Sequence, residues 1–223
     1  MFYPINEIFQ TLQGEGFYTG VPSLFIRLQG CPICCTWCDT KYTWKKLINR
    51  NNSLNAILLK KVKNDTWSNA DLVTLIDTIQ KKGWTARHVV ITGGEPAIYD
   101  LYPLTHALEG LGFHCQIETS GTHKLKCSHN TWVTVSPKVN MHNGYPVLDQ
   151  TLQRADEIKY PVLNAQDLEV LKKLLLRLGD SKKRIIALQP ISLDETATKL
   201  CIKTCIDRNW LFSIQMHKYI NIS

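Results

Sequence analysis

The sequence has no long hydrophobic run. A membrane-spanning helix needs about 18 or more consecutive apolar residues, and no stretch of that length occurs. The N-terminal segment, MFYPINEIFQ, has neither a basic start nor an apolar stretch behind it, unlike a secretory signal. No residue type dominates any segment, and 12 glycines and 9 prolines in 223 residues are ordinary usage. These absences exclude collagen-like and disordered classes. They predict a soluble, cytoplasmic protein with one domain over residues 1–223.

Acidic residues are missing from residues 41–63, a segment that carries seven basic ones. The net charge of the whole chain is +7, so the excess of this segment equals that of the chain. Such a stretch can attract anionic substrates, membranes or nucleic acid, but no base-reading motif accompanies it, which favours a solvated face. Residues 44–69 also separate the first two predicted strands by more than one helical connection. We therefore predict a basic insertion at 44–69.

Short β-rich runs alternate with helical stretches, and a unit of about 30 residues is typical of right-handed βαβ crossovers. The predicted strands are Ser23–Leu28, His88–Thr92, His114–Glu118, Trp132–Val135, Glu157–Tyr160, Ile185–Gln189 and Leu211–Gln215. The predicted helices are Ala70–Lys82, Leu101–Leu111, Ala165–Leu178 and Asp194–Asn209.

This order of elements predicts an α/β fold. A complete eight-fold barrel usually needs about 250 residues, so the chain is expected to form either an open doubly wound sheet or an incomplete barrel. We favour a partial (β/α) barrel of about six or seven parallel strands. In both architectures ligands bind beyond the carboxyl ends of the strands, where this sequence has polar, glycine-rich segments.

Four of the eight cysteines lie in one loop, GCPICCTWCDT, at residues 30–40. Reduced thiols at such spacing predict metal ligation rather than disulfides. Two ligand sets can be drawn: Cys31 with Cys35 and Cys38, or the pairs Cys31/Cys34 and Cys35/Cys38. The pairs would suit tetrahedral zinc, but adjacent Cys34 and Cys35 cannot readily aim both sulfurs at one ion. Three thiolates can instead hold three irons of a cubane cluster, whose fourth iron stays open.

The Cys-x3-Cys-x2-Cys spacing after the first predicted strand resembles the signature of radical S-adenosylmethionine enzymes, in which the open iron binds that cofactor. The segment Gly93–Gly94–Glu95–Pro96 resembles the glycine-glycine-glutamate motif of the same enzymes. The resemblance implies a cluster that cleaves the cofactor and releases a 5′-deoxyadenosyl radical. A closer likeness, to the longer type of 7-carboxy-7-deazaguanine synthases, covers essentially the whole chain. It is carried by the segments INEIFQTLQGEGFYTGVPSLFIRLQGCP, CDTKYTW, VTVSPK, RADEIKYP, IALQPIS and QMHKYINIS.

This likeness implies a lyase that contracts the ring of 6-carboxy-5,6,7,8-tetrahydropterin to 7-carboxy-7-deazaguanine with release of ammonia, on the route to queuosine. It also implies a 4Fe-4S cluster, S-adenosyl-L-methionine, Mg2+, a homodimer and an electron donor such as flavodoxin, with no direct nucleic-acid partner and no membrane span. Two alternatives stay open: an activase that makes a glycyl radical on another protein, against which LQGEG and CDT argue, and a zinc-stabilised basic nucleic-acid-binding module.

The same likeness implies a role for individual residues. The expected metal ligands are Cys31, Cys35 and Cys38 for the cluster and Thr40 for Mg2+. The expected cofactor-binding residues are Trp37, Asp39, Gly94, Ser136, Pro137, Lys138 and Gln189. The expected substrate-binding residues are Leu12, Gln13, Gly14, Arg27, Thr92 and Ser223. No catalytic residue is assigned beyond the cluster and the cofactor, and no role is given to His217 or to Cys201 and Cys205.

Local chemistry agrees with one of these roles. Arg27 lies among alternating apolar residues of the first predicted strand, and a buried guanidinium without an anion would cost several kcal/mol. We therefore predict that Arg27 binds the substrate carboxylate with two hydrogen bonds. The loop departs from the family pattern only at Cys34, where a residue other than cysteine is usual.

Overall fold

The computed structural model describes residues 1–139, 144–191 and 194–220, which form one nine-stranded sheet with helices packed against it. The strands are β1 (Phe2–Leu12), β2 (Pro22–Leu28), β3 (Ser68–Asp71), β4 (His88–Gly93), β5 (His114–Thr119), β6 (Trp132–Val135), β7 (Glu157–Val162), β8 (Ile185–Pro190) and β9 (Leu211–Phe212). The helices are α1 (Leu54–Leu58), α2 (Leu72–Lys81), α3 (Tyr102–Gly110), α4 (Asp149–Arg154), α5 (Ala165–Leu176) and α6 (Glu195–Arg208).

The sheet is mostly parallel, with the order β3-β1-β2-β4-β5-β6-β7-β8-β9. Each neighbouring pair from β2 to β9 is parallel, whereas β1 is antiparallel to both β2 and β3. In the described residues the two edge strands, β3 and β9, do not pair with each other, so the barrel stays open. The predicted partial barrel is confirmed.

All seven predicted strands are present with ends shifted by a few residues, but β1 and β3 were not predicted. The β3 sequence, SNAD, has no β-branched residue, and it becomes a strand because it pairs with Phe2–Ile5. This pairing also moves a helix boundary. Asp71 ends β3, and its side chain accepts a hydrogen bond from the Thr74 backbone N–H at 3.0 Å, so α2 begins at Leu72 rather than at Ala70.

The two faces of the strands differ in polarity. Residues that point toward the helices are apolar and fully buried, such as Ile26, Ile91 and Leu188. Alternate residues point to the concave side and include Arg27 and Lys159, which line a cavity there. Burying one large aliphatic side chain contributes roughly 1.5–3 kcal/mol. The apolar face therefore stabilises the sheet, and the concave face carries the chemistry.

None of the helices within the described ranges combines the length and the hydropathy needed to cross a membrane.

Candidate active site

A cavity of about 340 Å³ lies on the concave side of the sheet, at the carboxyl ends of the parallel strands. Most of the predicted site residues line it together. They are Leu12, Gln13, Gly14, Arg27, Cys31, Cys35, Trp37, Cys38, Asp39, Thr40, Thr92, Gly94, Ser136, Lys138 and Gln189. Pro137 is not among the lining residues, although its two neighbours are. Ser223 lies outside the described residues.

The cysteine loop turns at Cys34. The backbone of Cys34 has a φ of 53°, in the left-handed region that few non-glycine residues adopt. Its thiol lies 3.5 Å from the backbone carbonyl oxygen of Cys31 and does not line the cavity. Cys31, Cys35 and Cys38 do line it. Of the two ligand sets drawn from the sequence, this geometry favours Cys31, Cys35 and Cys38.

This donor set fits a cubane cluster better than a single ion. Among residues 1–139, 144–191 and 194–220, no three His, Cys, Asp or Glu side chains converge as the ligands of one metal ion must. In a cubane each thiolate ligates its own iron, so three thiols around one cavity suffice. Burial raises the pKa of the Cys31 thiol to about 11 and also raises that of Cys35, so iron binding must release their protons.

Gly93 and Gly94 hold the base of the cysteine loop against β4. The Gly94 N–H donates to the Leu28 carbonyl at 2.9 Å, and the Glu95 N–H donates to the Gly30 carbonyl at 2.8 Å. A Cβ on Gly93 would lie 2.2 Å from the Leu28 oxygen, and one on Gly94 would lie 2.0 Å from the Gly30 oxygen. Only glycine therefore fits at either position.

The carboxylate of Glu95 is buried and orders the loop after β5. Its Oε1 accepts from the Thr119 hydroxyl at 2.6 Å and from the Ala97 N–H at 3.0 Å. Its Oε2 accepts from the Ser120 N–H at 2.8 Å and from the Ser120 hydroxyl. Four donors therefore satisfy both oxygens of this buried carboxylate.

The Thr40 hydroxyl lies at the end of the cysteine loop. Its Oγ1 is 3.4 Å from the carbonyl oxygen of Gly93 and 3.6 Å from the Cys38 sulfur. The neighbouring Asp39 is bound elsewhere: its carboxylate accepts from Gln215 Nε2 at 2.9 Å and pairs with Lys218 Nζ at 3.3 Å. Of these two side chains, Thr40 is therefore the one whose oxygen lies next to the thiol of Cys38.

Arg27 has a protein carboxylate as its partner. Its Nε lies 2.7 Å from Glu7 Oε2, directly across the β1–β2 ladder, and Tyr42 donates to the same oxygen at 3.2 Å. Glu7 thus supplies the anion that Arg27 was expected to find only in a substrate, and it does so from β1, a strand that was not predicted. The salt bridge uses Nε, so the two Nη nitrogens remain outside it.

A second ionic cluster surrounds Lys159, a residue that the sequence analysis did not single out. Lys159 Nζ lies 2.7 Å from Glu15 Oε2 and 2.8 Å from Glu118 Oε2. Burial would raise the pKa of Glu15, but the charge and hydrogen bond of Lys159 lower it to about 2. Burial raises the pKa of Glu118 to about 7, because Lys159 offsets it only in part and Glu15 and Glu157 add to it. All three residues line the cavity.

Residues that follow β9 contact the turn between β1 and β2. Met216 N–H donates to the Gly14 carbonyl at 2.9 Å, and the Ser213 hydroxyl accepts from the Gly16 N–H at 2.9 Å. Gln215 Nε2 donates to Glu15 Oε1 at 2.9 Å as well as to Asp39. Residues 213–216 thus connect the 12–16 turn to the cysteine loop.

Comparison with known proteins decides the family. Residues 25–138 match the Radical SAM superfamily. The 7-carboxy-7-deazaguanine synthase of Escherichia coli (strain K12) is 62% identical over 223 residues, which are 100% of both chains. The enzyme of the same name from Buchnera aphidicola subsp. Schizaphis graminum is 53% identical over 222 residues, again 100% of both chains. The chain belongs to the 7-carboxy-7-deazaguanine synthase family.

A solved structure of this family agrees with the fold. The crystal structure of QueE from Escherichia coli has a TM-score of 0.95 at 62% identity, and the match covers 97% of this chain and 95% of that chain. The predicted family, fold and enzyme class are therefore confirmed. A member of the radical SAM superfamily uses a 4Fe-4S cluster and S-adenosyl-L-methionine.

Sequence reasoning missed several lining residues of this 7-carboxy-7-deazaguanine synthase family member. Glu118 and Lys159 stand on β5 and β7 with no motif around them that marks a charged cluster. His217 also lines the cavity, with Nδ1 2.8 Å from where a Cβ on Gly14 would lie. The available signal was alternation: Glu118 follows Gln116 and Lys159 follows Glu157 at every second position of their strands, with Ile117 and Ile158 between them.

Proposed function

We propose that this chain contracts the ring of 6-carboxy-5,6,7,8-tetrahydropterin to 7-carboxy-7-deazaguanine with release of ammonia, for queuosine biosynthesis. What supports the proposal is full-length 62% identity to an enzyme of that name, together with one cavity lined by the thiols of Cys31, Cys35 and Cys38. When bound, the cluster and S-adenosyl-L-methionine supply the radical that abstracts hydrogen from the substrate. The remaining work of binding and orientation falls to the chain itself.

In this proposal the cluster loop and the strand ends hold the cofactor. Cys31, Cys35 and Cys38 ligate the iron. Lys138 Nζ donates to Ser136 Oγ at 2.7 Å, so the cation and the hydroxyl stand together beside the cavity. A cation and a hydroxyl are suited to the carboxylate and ribose of the cofactor. The other proposed cofactor-binding residues are Trp37, Asp39, Gly94, Pro137 and Gln189.

The substrate is proposed to lie between the two ionic clusters. Arg27 offers its Nη nitrogens to the substrate carboxylate, while Nε stays with Glu7. The turn of residues 12–14 approaches the planar ring through backbone groups, and its Gln13 side chain is buried. Glu15 and Glu118 present carboxylate oxygens to the ring edge, which carries N–H donors. Thr92 and Ser223 complete the proposed contacts.

Magnesium is proposed to bind the Thr40 hydroxyl, with substrate and water supplying further oxygen ligands. The binding of Asp39 to Gln215 and Lys218 favours Thr40 as the protein ligand. We expect Thr40→Ala to abolish activity or to remove its dependence on magnesium. Activity assays across a magnesium titration test this, with Thr36→Ala as the matched control, because Thr36 is an exposed threonine of the same loop that does not line the cavity. A Thr40→Ala enzyme with the wild-type magnesium requirement contradicts the assignment.

The decisive experiment is anaerobic incubation of the reconstituted protein with the tetrahydropterin, S-adenosyl-L-methionine, magnesium and dithionite. We expect 7-carboxy-7-deazaguanine, with one equivalent of ammonia, by liquid chromatography and mass spectrometry. Cys35→Ser is the negative control, because loss of one ligand opens a second iron. Cys34→Ser is the matched control and is expected to keep both iron and activity. Absence of product from the wild-type protein with a full complement of iron contradicts the proposal.

The remaining expectations also stay proposals. We infer that the chain acts in the cytoplasm as a homodimer with one domain, and that an electron donor such as flavodoxin reduces the cluster. The basic residues of 41–63 give that end of the molecule a positive field, which suits an acidic donor. Sedimentation velocity tests the dimer, and replacement of dithionite by reduced flavodoxin tests the donor.

A further inference from the structure

Gln116 lies on β5, two residues before Glu118, and its side chain is fully buried. Four hydrogen bonds surround its amide. Gln116 Oε1 accepts from Gln13 Nε2 at 3.3 Å and lies 2.7 Å from His88 Nε2. Gln116 Nε2 donates to Glu118 Oε1 at 3.0 Å and to Thr134 Oγ1 at 3.0 Å. An amide has two donor hydrogens and two acceptor lone pairs, so every one of them is used.

The orientation of this amide is fixed by its neighbours. The Thr134 hydroxyl donates its hydrogen to Glu157 Oε2 and can only accept from Gln116, and an ionised Glu118 also only accepts, so the NH2 group of Gln116 must face both. The carbonyl then faces Gln13 and His88, and the close His88 Nε2 must carry a proton. Burial lowers the pKa of His88, which keeps the ring neutral. A flipped amide would set an oxygen against the carboxylate and its NH2 group against the NH2 group of Gln13, whose own carbonyl is bound to the Glu15 N–H, so only one orientation is stable.

Two walls of the cavity depend on this amide. Gln13 belongs to the turn of residues 12–14, and its Oε1 accepts from the Glu15 N–H at 3.2 Å while its Nε2 donates to Gln116. Glu118 is held at one oxygen by Lys159 and at the other by Gln116. Gln116 itself does not line the cavity. It therefore acts on a ligand only through these neighbours.

We propose that Gln116 is a positioning residue for the ring-contraction reaction, which orients Glu118 and the 12–14 turn toward the substrate from beneath the cavity floor. The proposal rests on the proposed function of that turn in substrate binding. It assigns no step of the chemistry to Gln116. Loss of the amide should misplace the substrate relative to the cofactor while leaving the cluster, which is bound by a different loop, in place.

Two variants of Gln116 separate this role from simple packing. Gln116→Met keeps the volume and removes all four hydrogen bonds. Gln116→Glu keeps the shape but turns a donor toward Glu118 into a charged acceptor. Gln153→Glu is the matched control, because it makes the same chemical change at an exposed residue whose amide donates to the Leu178 carbonyl at 3.3 Å.

The experiment measures steady-state kinetics of the reconstituted enzymes, their iron content and the 5′-deoxyadenosine formed per deazaguanine. We expect the KM for the tetrahydropterin to rise about tenfold or more in both Gln116 variants, as a buried partner left unpaired predicts. The ratio of 5′-deoxyadenosine to product should also rise, because hydrogen abstraction from a misplaced substrate fails. Iron content and the KM for S-adenosyl-L-methionine should stay within about twofold of wild type.

Wild-type values of the substrate KM and of the product ratio in both variants would overturn the proposal. An equal rise of both KM values with loss of iron would also overturn it, since that is the behaviour of a purely structural residue. If neither variant folds, Thr134→Val decides by the same criteria, because it removes one acceptor of the amide. If the wild-type enzyme makes no product, the proposed function fails first and this inference fails with it.

Discussion

The two ionic clusters of the cavity wall differ in their charge balance. Arg27 and Glu7 form a one-to-one pair on adjacent strands, and both side chains are largely buried. Lys159 lies between two carboxylates, Glu15 and Glu118, and its own side chain is only 6% exposed. The pair is neutral, whereas the second cluster has one negative charge too many when all three groups are ionised.

This difference sets what each cluster can do. In the balanced pair each side chain has one partner of opposite charge, and the salt bridge holds the Arg27 guanidinium in place beside the cavity. In the unbalanced cluster one cation cannot offset the burial of two carboxylates, and their pKa values move apart, with Glu15 at about 2 and Glu118 at about 7. Glu118 can therefore gain or lose a proton near neutral pH, while Glu15 stays ionised. The excess negative charge creates a titratable group in the cavity.

Removal of Lys159 should reduce stability more than any other change in the two clusters. Lys159→Met leaves two carboxylates buried without a cation, and we expect the free energy of unfolding to fall by about 3–5 kcal/mol at pH 7. Urea unfolding of the cluster-free protein under reducing conditions measures it. Lys199→Met is the control, since Lys199 pairs with Glu195 on an exposed face of α6 and should contribute about 0–1 kcal/mol. Equal losses in the two variants would mean that Lys159 is solvated.

The balanced pair is probed by Arg27→Lys. A lysine keeps the charge toward Glu7 but loses the planar group with two Nη nitrogens. We expect a loss of about 1–3 kcal/mol in substrate binding, seen as a higher KM for the tetrahydropterin with little change in kcat. Steady-state assays in parallel with urea unfolding distinguish binding from stability. A wild-type KM would place Arg27 outside the substrate site.

Replacement of Glu118 should change how the free energy of unfolding depends on pH. The folded state raises the pKa of Glu118 from 4.5 to about 7, so between these values the folded protein binds more protons than the unfolded one. Stability from this group is present at low pH and is lost as the pH rises to 7, with a slope of up to about 1.4 kcal/mol per pH unit. Glu118→Gln should therefore flatten the fall in stability between pH 5 and pH 7.

The lowered pKa of Glu15 acts with the opposite sign. Its stabilisation is present above pH 4.5 and is lost as the pH falls toward 2. Glu15→Gln should therefore reduce acid sensitivity below pH 4.5 and leave the slope between pH 5 and pH 7 in place. Urea unfolding at stepped pH measures both variants. Identical slopes in the two variants would show that the carboxylates titrate as one group.

The sequence predicted what is local and missed what pairs across the fold. The cysteine loop and Gly93–Gly94 act within a few residues, so their spacing carried the cluster site. Lys159 meets Glu15 at a separation of 144 residues and Glu118 at 41, and no local pattern reports such a meeting. The partner of Arg27 was missed because β1 precedes the repeating βα units and runs antiparallel to β2.

Cys34 shows the same limit within a single loop. Counting cysteines gave two possible ligand sets, and the residue spacing disfavoured but did not remove the zinc pairs. Cys34 has a left-handed backbone and does not line the cavity. This conformation could not be predicted from the sequence. The role of Gln116 could not be predicted either, because its sequence neighbours Cys115 and Ile117 do not indicate its four hydrogen-bond partners.

The contacts of residues 213–216 with the 12–16 turn join two segments that lie outside the ladder of strands. The strands form one continuous hydrogen-bonded ladder, whereas these two segments are joined by a few hydrogen bonds at Gly14, Glu15 and Gly16. These few bonds can break while every pair of strands stays intact. We therefore expect amide hydrogen exchange to be faster at Gly16 and Met216 than within the strands, which would mark these contacts as the first to open when ligands exchange.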